Sequence, residues 1–133
     1  MKGTVEAAIS RELIAFYPET PVGQAIASLV VNNISGAPVL NDVGALAGIL
    51  TAKDCFRAAL QCSYHGEWEG LVSDFMTTQV YTLDADTDLV TAASRFLEVN
   101  FRRFPVLRDE KVIGMVTRFD VLRTLYNDSA RSK

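Results

Sequence analysis

One passage of this chain is written twice. Slid along itself by 67 positions, the sequence brings Thr20, Ala25, Asn33, Pro38, Val39, Leu40 and Asp42 onto Thr87, Ala92, Asn100, Pro105, Val106, Leu107 and Asp109. The first copy gains one residue around Val43–Ala47. Beyond it, at an offset of 66, Gly48, Thr51, Asp54 and Arg57 fall on Gly114, Thr117, Asp120 and Arg123. These are eleven identities in the 36 positions 20–42 and 48–60, where unrelated sequences of ordinary composition would share about two or three. A repeat of this length means that both copies fold into the same supersecondary unit.

Each copy reads in the same order. A short strand (Leu13–Phe16; Val80–Leu83) leads through a turn rich in Pro or Asp to an amphipathic helix. The apolar positions of that helix are Val22, Ile26, Leu29 and Val30, then Leu89, Ala93, Phe96 and Leu97. A strand centred on Pro-Val-Leu follows, then a turn (Asn41–Gly44; Arg108–Lys111) and a second strand (Leu46–Leu50; Val112–Val116). A helix after Thr51 or Thr117 closes the unit. The order is β-α-β-β-α and the class α+β. About 60 residues bury too little surface to stand alone, so the copies are expected to pack face to face with pseudo-twofold symmetry and two related clefts. The expected boundaries are residues 5–60 for the first copy, 61–71 for a linker, 72–127 for the second copy and 128–133 for a tail.

Composition narrows the function. With 49% hydrophobic and 22% charged residues, the 133-residue chain reads as a folded soluble protein. No apolar run approaches the ~20 residues of a membrane helix. The start, MKGTVEAAIS, has no apolar signal core, so a cytoplasmic address is expected. Cys55 and Cys62 are seven residues apart, about 10 Å along a helix, too far for a disulfide. A single His and no CxxC motif leave no metal site and no catalytic constellation, so an enzyme is not expected. The net charge of −3 argues against a nucleic-acid surface. Charge is unevenly spread, however. Glu67–Asp88 holds six acids and no base, whereas Arg95–Lys133 holds nine bases and five acids, a local +4 that can meet an anion.

The segments Gly48-Ile-Leu-Thr-Ala-Lys-Asp54 and Gly114-Met-Val-Thr-Arg-Phe-Asp120, in this order of elements, resemble the cystathionine-β-synthase (CBS) domain family. Asp74-Phe-Met-Thr77 and Arg102-Arg-Phe-Pro-Val106 add to the likeness, and two units in tandem resemble a Bateman module. The resemblance covers about Val5 to Leu125. It implies a regulatory module that binds an adenine nucleotide (AMP, ADP or ATP), with S-adenosylmethionine or NAD as alternative ligands. Magnesium would accompany the phosphates if any metal does, and no cofactor is otherwise implied. Thr51 and Asp54 in one cleft, and Thr117 and Asp120 in the other, would take the ribose and phosphate. Adenine would meet backbone near Ala15 and Thr82, and the residues Ala37-Pro38 and Phe104-Pro105. Relatives pair as flat dimers, so a homodimer is expected, together with an unidentified protein that it regulates.

A plainer reading stands beside this one. T-x-x-D ahead of an apolar helix is also a capping box, which needs no ligand. On that reading the module is a dimerisation or interaction scaffold with empty clefts. The copies also differ. The second sets Arg102, Arg103 and Arg118 around its motif, where the first has Ser35, Gly36 and Ala52. Arginine suits multidentate phosphate contact, so the second copy is the better candidate for a phosphorylated ligand, unless its arginines pair with Asp86, Asp88 or Glu98.

Overall fold

The structure, a computed structural model, describes residues 3–10 and 13–131. A 3-10 turn at Val5–Ala8 opens the chain. The first copy supplies α1 (Val22–Val31), β1 (Gly36–Leu40), β2 (Leu46–Thr51) and α2 (Ala52–His65). One helical turn, α3 (Val72–Phe75), follows. The second copy supplies β3 (Leu83–Asp84), α4 (Leu89–Glu98), β4 (Arg103–Arg108), β5 (Lys111–Thr117) and α5 (Arg118–Arg131). The mixed α+β content and the repeated order are as expected. Among the described residues no helix is long and apolar enough to cross a membrane.

The hairpins match residue for residue. Val39 faces Gly48 in β1–β2, and Val106 faces Gly114 in β4–β5. The extra residue of the first copy sits in its hairpin turn. There Asn41 Oδ1 accepts from the Val43 and Ala45 amides (3.0 and 2.9 Å), and Gly44 takes a φ of +82°. The second copy closes more tightly through Asp109 and Glu110, both at positive φ, as a two-residue turn that fits strand twist requires.

The opening strands are shorter than expected, for a reason visible in the sequence. Leu13–Phe16 reduces to one parallel bridge, Phe16 with Val39, and Val80–Leu83 becomes β3, which pairs Leu83 with Val106 and Asp84 with Leu107. The Phe16 amide donates to the Pro38 carbonyl (3.0 Å) and the Leu40 amide donates to the Phe16 carbonyl (2.8 Å). The next bond toward the N-terminus would need an N–H from Pro38, or from Pro105 in the second copy, and proline has none. The ladder therefore stops short of Ala15 and Thr82.

The helices rotate slightly from the expected faces. α1 buries Val22, Ala25 and Leu29, and α4 buries Leu89, Ala92 and Phe96. Val30 and Leu97, expected in the core, are 72% and 90% exposed. One step past Leu29 or Phe96 turns the side chain about 100° away from the buried stripe, and the small Ala25 and Ala92 let each helix lie close on its sheet.

The chain forms two compact units. One is Ile14–Val80; the other joins the chain before Ile14 to the chain from Tyr81 onward. Thus the segment ahead of each copy is built into the unit of the other. Thr77 and Ile49 exchange two backbone hydrogen bonds (2.9 Å each), and the Ser10 amide donates to the Met115 carbonyl (3.3 Å). Val72 and Phe75 join the core of Phe16, Val22, Leu29, Val39 and Leu50. Val5 and Ala8 join the core of Leu83, Leu89, Phe96, Phe104, Val106 and Val116. The glycine of each G-h-h-T-x-x-D motif permits this. A Cβ at Gly48 would lie 2.7 Å from the Thr77 carbonyl oxygen, and one at Gly114 would lie 2.8 Å from that of Ser10. Both obstacles are backbone, which cannot step aside as a flexible side chain can. Gly48→Ala and Gly114→Ala should therefore each lower stability by about 1–3 kcal/mol, read from urea midpoints. An unchanged midpoint would show that the paired segments can shift away at no cost.

Candidate functional site

The end of β5 and the start of β4 gather the residues singled out in the second copy. Arg103 is the direct partner of Thr117 across the hairpin, and the Arg118 amide donates to the Arg102 carbonyl (3.1 Å). Thr117 and Asp120 then cap α5 reciprocally. The Thr117 amide donates to Asp120 Oδ2 (3.0 Å), and the Asp120 amide donates to Thr117 Oγ1 (3.1 Å). Arg123, one turn on, donates from Nη2 to Asp120 Oδ1 (2.9 Å) and stacks its guanidinium over the Phe119 ring. Burial, and then the neighbouring charge of Arg102, pull the Arg103 pKa downward. Both effects disfavour the cation, and the opposite charge of a bound anion would offset them. Arg102 and Arg118 are exposed, and Thr117 and Asp120 are half-buried.

The first copy repeats the backbone but not the charges. Its equivalent joint is the Ala52 amide donating to the Ser35 carbonyl (2.9 Å), with no arginine on either residue. The Thr51 amide and hydroxyl both donate to Asp54 Oδ2 (2.9 and 3.0 Å), and the Asp54 amide donates to Thr51 Oγ1 (3.3 Å). The Thr77 hydroxyl donates to the remaining oxygen, Asp54 Oδ1 (3.0 Å). Arg57, the counterpart of Arg123, donates instead to the Phe75 carbonyl (3.2 Å) and lies over the Phe75 ring. Both T-x-x-D pairs are thus capping boxes. Asp54 has both oxygens tied to neutral donors, whereas Asp120 holds an exposed arginine.

The residues expected around adenine divide into two groups. Ala15 and Thr82 are half-buried just ahead of the bridging residues Phe16 and Leu83, with their backbone beyond the end of the ladder. Ala37, Pro38, Phe104 and Pro105 are sealed in the cores. Phe104 is 1% exposed and its ring centroid lies 4.6 Å from that of Phe96. These four offer a ligand their backbone and a firm backing, not an open side-chain wall. Thr77 and Arg123 appear in the motif and in the repeat without any expected role at the site. Thr77 reaches Asp54 only because the chain ahead of the second copy pairs with the first copy's β2. Of the acids proposed to neutralise the arginines, Asp88 caps α4, with its pKa lowered by the Thr91 amide and then its hydroxyl. Asp86 lies 3.6 Å from Arg108, which also pairs with Glu6. Among the described residues no group of three acidic, His or Cys side chains is placed to hold a metal ion.

This chain belongs to the CBS-domain family: the family's model matches residues 5–61 and 72–127. A CBS domain-containing protein of Dictyostelium discoideum is 33% identical over 135 residues, covering 94% of this chain and 92% of its own. The inosine-5'-monophosphate dehydrogenase of Methanocaldococcus jannaschii is 30% identical, and there this chain spans only 24% of the relative. It spans 42% of the uncharacterised protein MJ1225 of the same organism, so several curated relatives extend well beyond it. Among solved structures, CBSX2 in complex with AMP superimposes with a TM-score of 0.81 at 31% identity, covering 95% of this chain and 98% of that one. The CBS domain pair of MJ0100, in complex with 5'-methylthioadenosine and S-adenosyl-L-methionine, does so with a TM-score of 0.81 at 25% identity, covering 96% of this chain and 99% of that one.

Two expectations test the first copy. Thr77→Val should lower stability by about 1 kcal/mol. Combined with Asp54→Ala it should add less than its single effect, since both remove the same bond; full additivity in a thermal-melt cycle would show the bond to be idle. The second concerns the thiols. α2 runs unbroken past Cys55 and Cys62, and both are free. Burial, and secondarily the charge of Asp54, push the Cys55 thiol from 9.0 up to about 11. Near pH 8 iodoacetamide should label Cys62 and leave Cys55 until the protein unfolds. The stability that Cys55 contributes is full below about pH 9 and is lost as pH rises toward 11, because the unfolded thiol ionises first. Equal labelling rates by mass spectrometry would contradict this.

Proposed function

We propose that this CBS pair senses an adenine nucleotide (AMP, ADP or ATP), with the stronger site in the second copy. The observation that carries this reading is the meeting of Arg102, Arg103 and Arg118 beside Thr117 and Asp120, through one register pair and one backbone hydrogen bond. Phosphate oxygens suit the arginines and the positive N-terminal end of the α5 dipole. Vicinal ribose hydroxyls suit Asp120, since a carboxylate has about four acceptor sites and the described bonds from Thr117 and Arg123 use two. Backbone beyond the ladder at Thr82 suits the hydrogen-bonding edge of adenine. AMP in CBSX2, and two adenosyl compounds in the MJ0100 pair, support an adenosyl ligand. The first copy, without the arginines, fits an adenosyl ligand that lacks phosphate, and this favours S-adenosylmethionine as a second reading for that copy alone.

On this reading the chain catalyses nothing. The ligand acts by preferring one arrangement of the molecule over another, and a partner protein reads the difference. A homodimer is part of the proposal. Phe56, Leu60 and Tyr64 run along α2, and Phe119, Leu122 and Tyr126 along α5, exposed at helical spacing. Solvated helices rarely keep such stripes without a partner.

Isothermal titration with AMP should show saturable heat. Asp120→Ala and Arg118→Ala should each weaken binding by about tenfold or more, and Asp54→Ala should weaken it less. Each Asp variant should also lose about 1 kcal/mol of stability as a helix cap. The reverse order of the two Asp variants would move the stronger site to the first copy. No heat with any adenine nucleotide, in protein shown to be folded, would leave only the scaffold.

A further inference from the structure

One joint of the fold is made twice, and in one of the two it carries an added tryptophan. In the unit Ile14–Val80 the Val22 amide donates to the Gly70 carbonyl (3.0 Å), the Val72 amide donates to the Thr20 carbonyl (2.8 Å), and Pro21 bridges Leu71. In the other unit the Leu89 amide donates to the Gly3 carbonyl (3.1 Å), the Val5 amide donates to the Thr87 carbonyl (2.7 Å), and Asp88 bridges Thr4. The same bonds thus hold with Thr4 in the place of Leu71 and Val90 in the place of Gly23. What the first unit adds is Trp68. A Cβ at Gly23, in the first turn of α1, would lie 2.9 Å from Trp68 Cβ and 3.1 Å from its Cγ, so the glycine is the seat of the tryptophan. Glycine weakens a helix, yet the residue it seats stays 47% exposed, as do Leu71 (41%) and Tyr17 (52%). The joint is made without these side chains in the other unit, so the half-open apolar face needs another explanation.

Charge supplies one. Glu67 and Glu69 flank Trp68 in the chain, Glu19 stands two residues ahead of Pro21, and all three are exposed. Among the described residues no cation pairs with any of them. No Lys or Arg occurs between Arg57 and Arg95, and residues 14–80 hold six acids against Lys53 and Arg57. Arg57 is itself held by the Phe75 carbonyl and ring. An indole half open to solvent among uncompensated carboxylates fits a guanidinium, which stacks flat on an aromatic ring and takes carboxylates along its edge. Leu71 and Tyr17 suit an apolar residue next to that cation.

We propose that this face, centred on Trp68, docks an arginine-bearing segment of the protein that the pair regulates. This rests on the partner protein of the reading above and gives that partner a chemistry. AMP titration tests the ligand and a peptide tests the partner's chemistry, so either claim can fail alone. Trp68 is the only tryptophan, so its emission reports on this face directly. A blocked six-residue peptide of alternating arginine and leucine should shift that emission saturably, and more weakly as salt rises. The same peptide with citrulline for arginine, which drops the charge and keeps the shape, should bind at least about tenfold more weakly. In isothermal titration, Trp68→Ala and the pair Glu67→Gln with Glu69→Gln should each weaken the arginine peptide by about tenfold, whereas Trp68→Phe, which keeps a ring, should retain most of the affinity. Glu98→Gln, which removes one acid from the other unit, should change nothing. Melting temperatures would establish that the variants fold. Equal binding of the arginine and citrulline peptides, or binding that survives Trp68→Ala, would overturn the proposal. So would an equal loss in Glu98→Gln, which would reduce it to diffuse attraction between a cation and an acidic protein.

Discussion

Each unit depends on a backbone bridge made by chain from outside the copy it contains. Thr77 and Ile49 exchange two hydrogen bonds, and Ser10 and Met115 make the matching bridge in the other unit. Each bridge covers a strand edge that would otherwise present unpaired N–H and C=O groups. Each is possible only because the facing residue, Gly48 or Gly114, has no side chain. The glycine that opens the family motif is thus a sheet-packing residue here, although it stands three positions ahead of the threonine that caps the helix. In the first copy the consequence is chemical as well as structural, because the bridge delivers the Thr77 hydroxyl to Asp54.

Against this shared frame the copies diverge in charge and in aromaticity, while their backbones agree. The amide-to-carbonyl joint at Ala52 and Ser35 recurs at Arg118 and Arg102. The same main-chain bond therefore joins small neutral residues in one copy and two arginines in the other. The arginines at 57 and 123 show the same divergence, one held to a carbonyl and a ring of α3, the other turned to the motif aspartate. Duplication preserved what the fold requires and left the surface of each site free to specialise.

Much of this was legible in the residues. The 67-position repeat specified two like units, and T-x-x-D before an apolar run specified two capped helices, both present. Other features follow from contacts that no local pattern reveals. Val30 and Leu97 match a helical apolar spacing but fall one residue past the buried stripe. Pro38 and Pro105 mark strands readily, yet their effect falls on neighbouring strands, whose ladders end for want of a single N–H. The exchange of leading segments was the least legible of all. A repeated sequence offers two nearly identical places for a segment such as Val72–Phe75 to pack, and nothing local states which copy receives it. Thr77 was quoted as part of a motif without a role, because its partner lies in the other copy.

The exchange also gives the two units different histories during translation. Ile14–Val80 is continuous, so this unit holds everything it needs once Val80 has left the ribosome. The other unit is split across both ends of the chain. Met115 lies 105 positions after its partner Ser10 (115 − 10), roughly 5–20 seconds of synthesis at about 5–20 residues per second. The core that Val5 and Ala8 join includes Val116, so it is complete only once β5 has been made. The unit that carries the arginines is therefore completed after the other, and its completion requires chain that was made before Ile14.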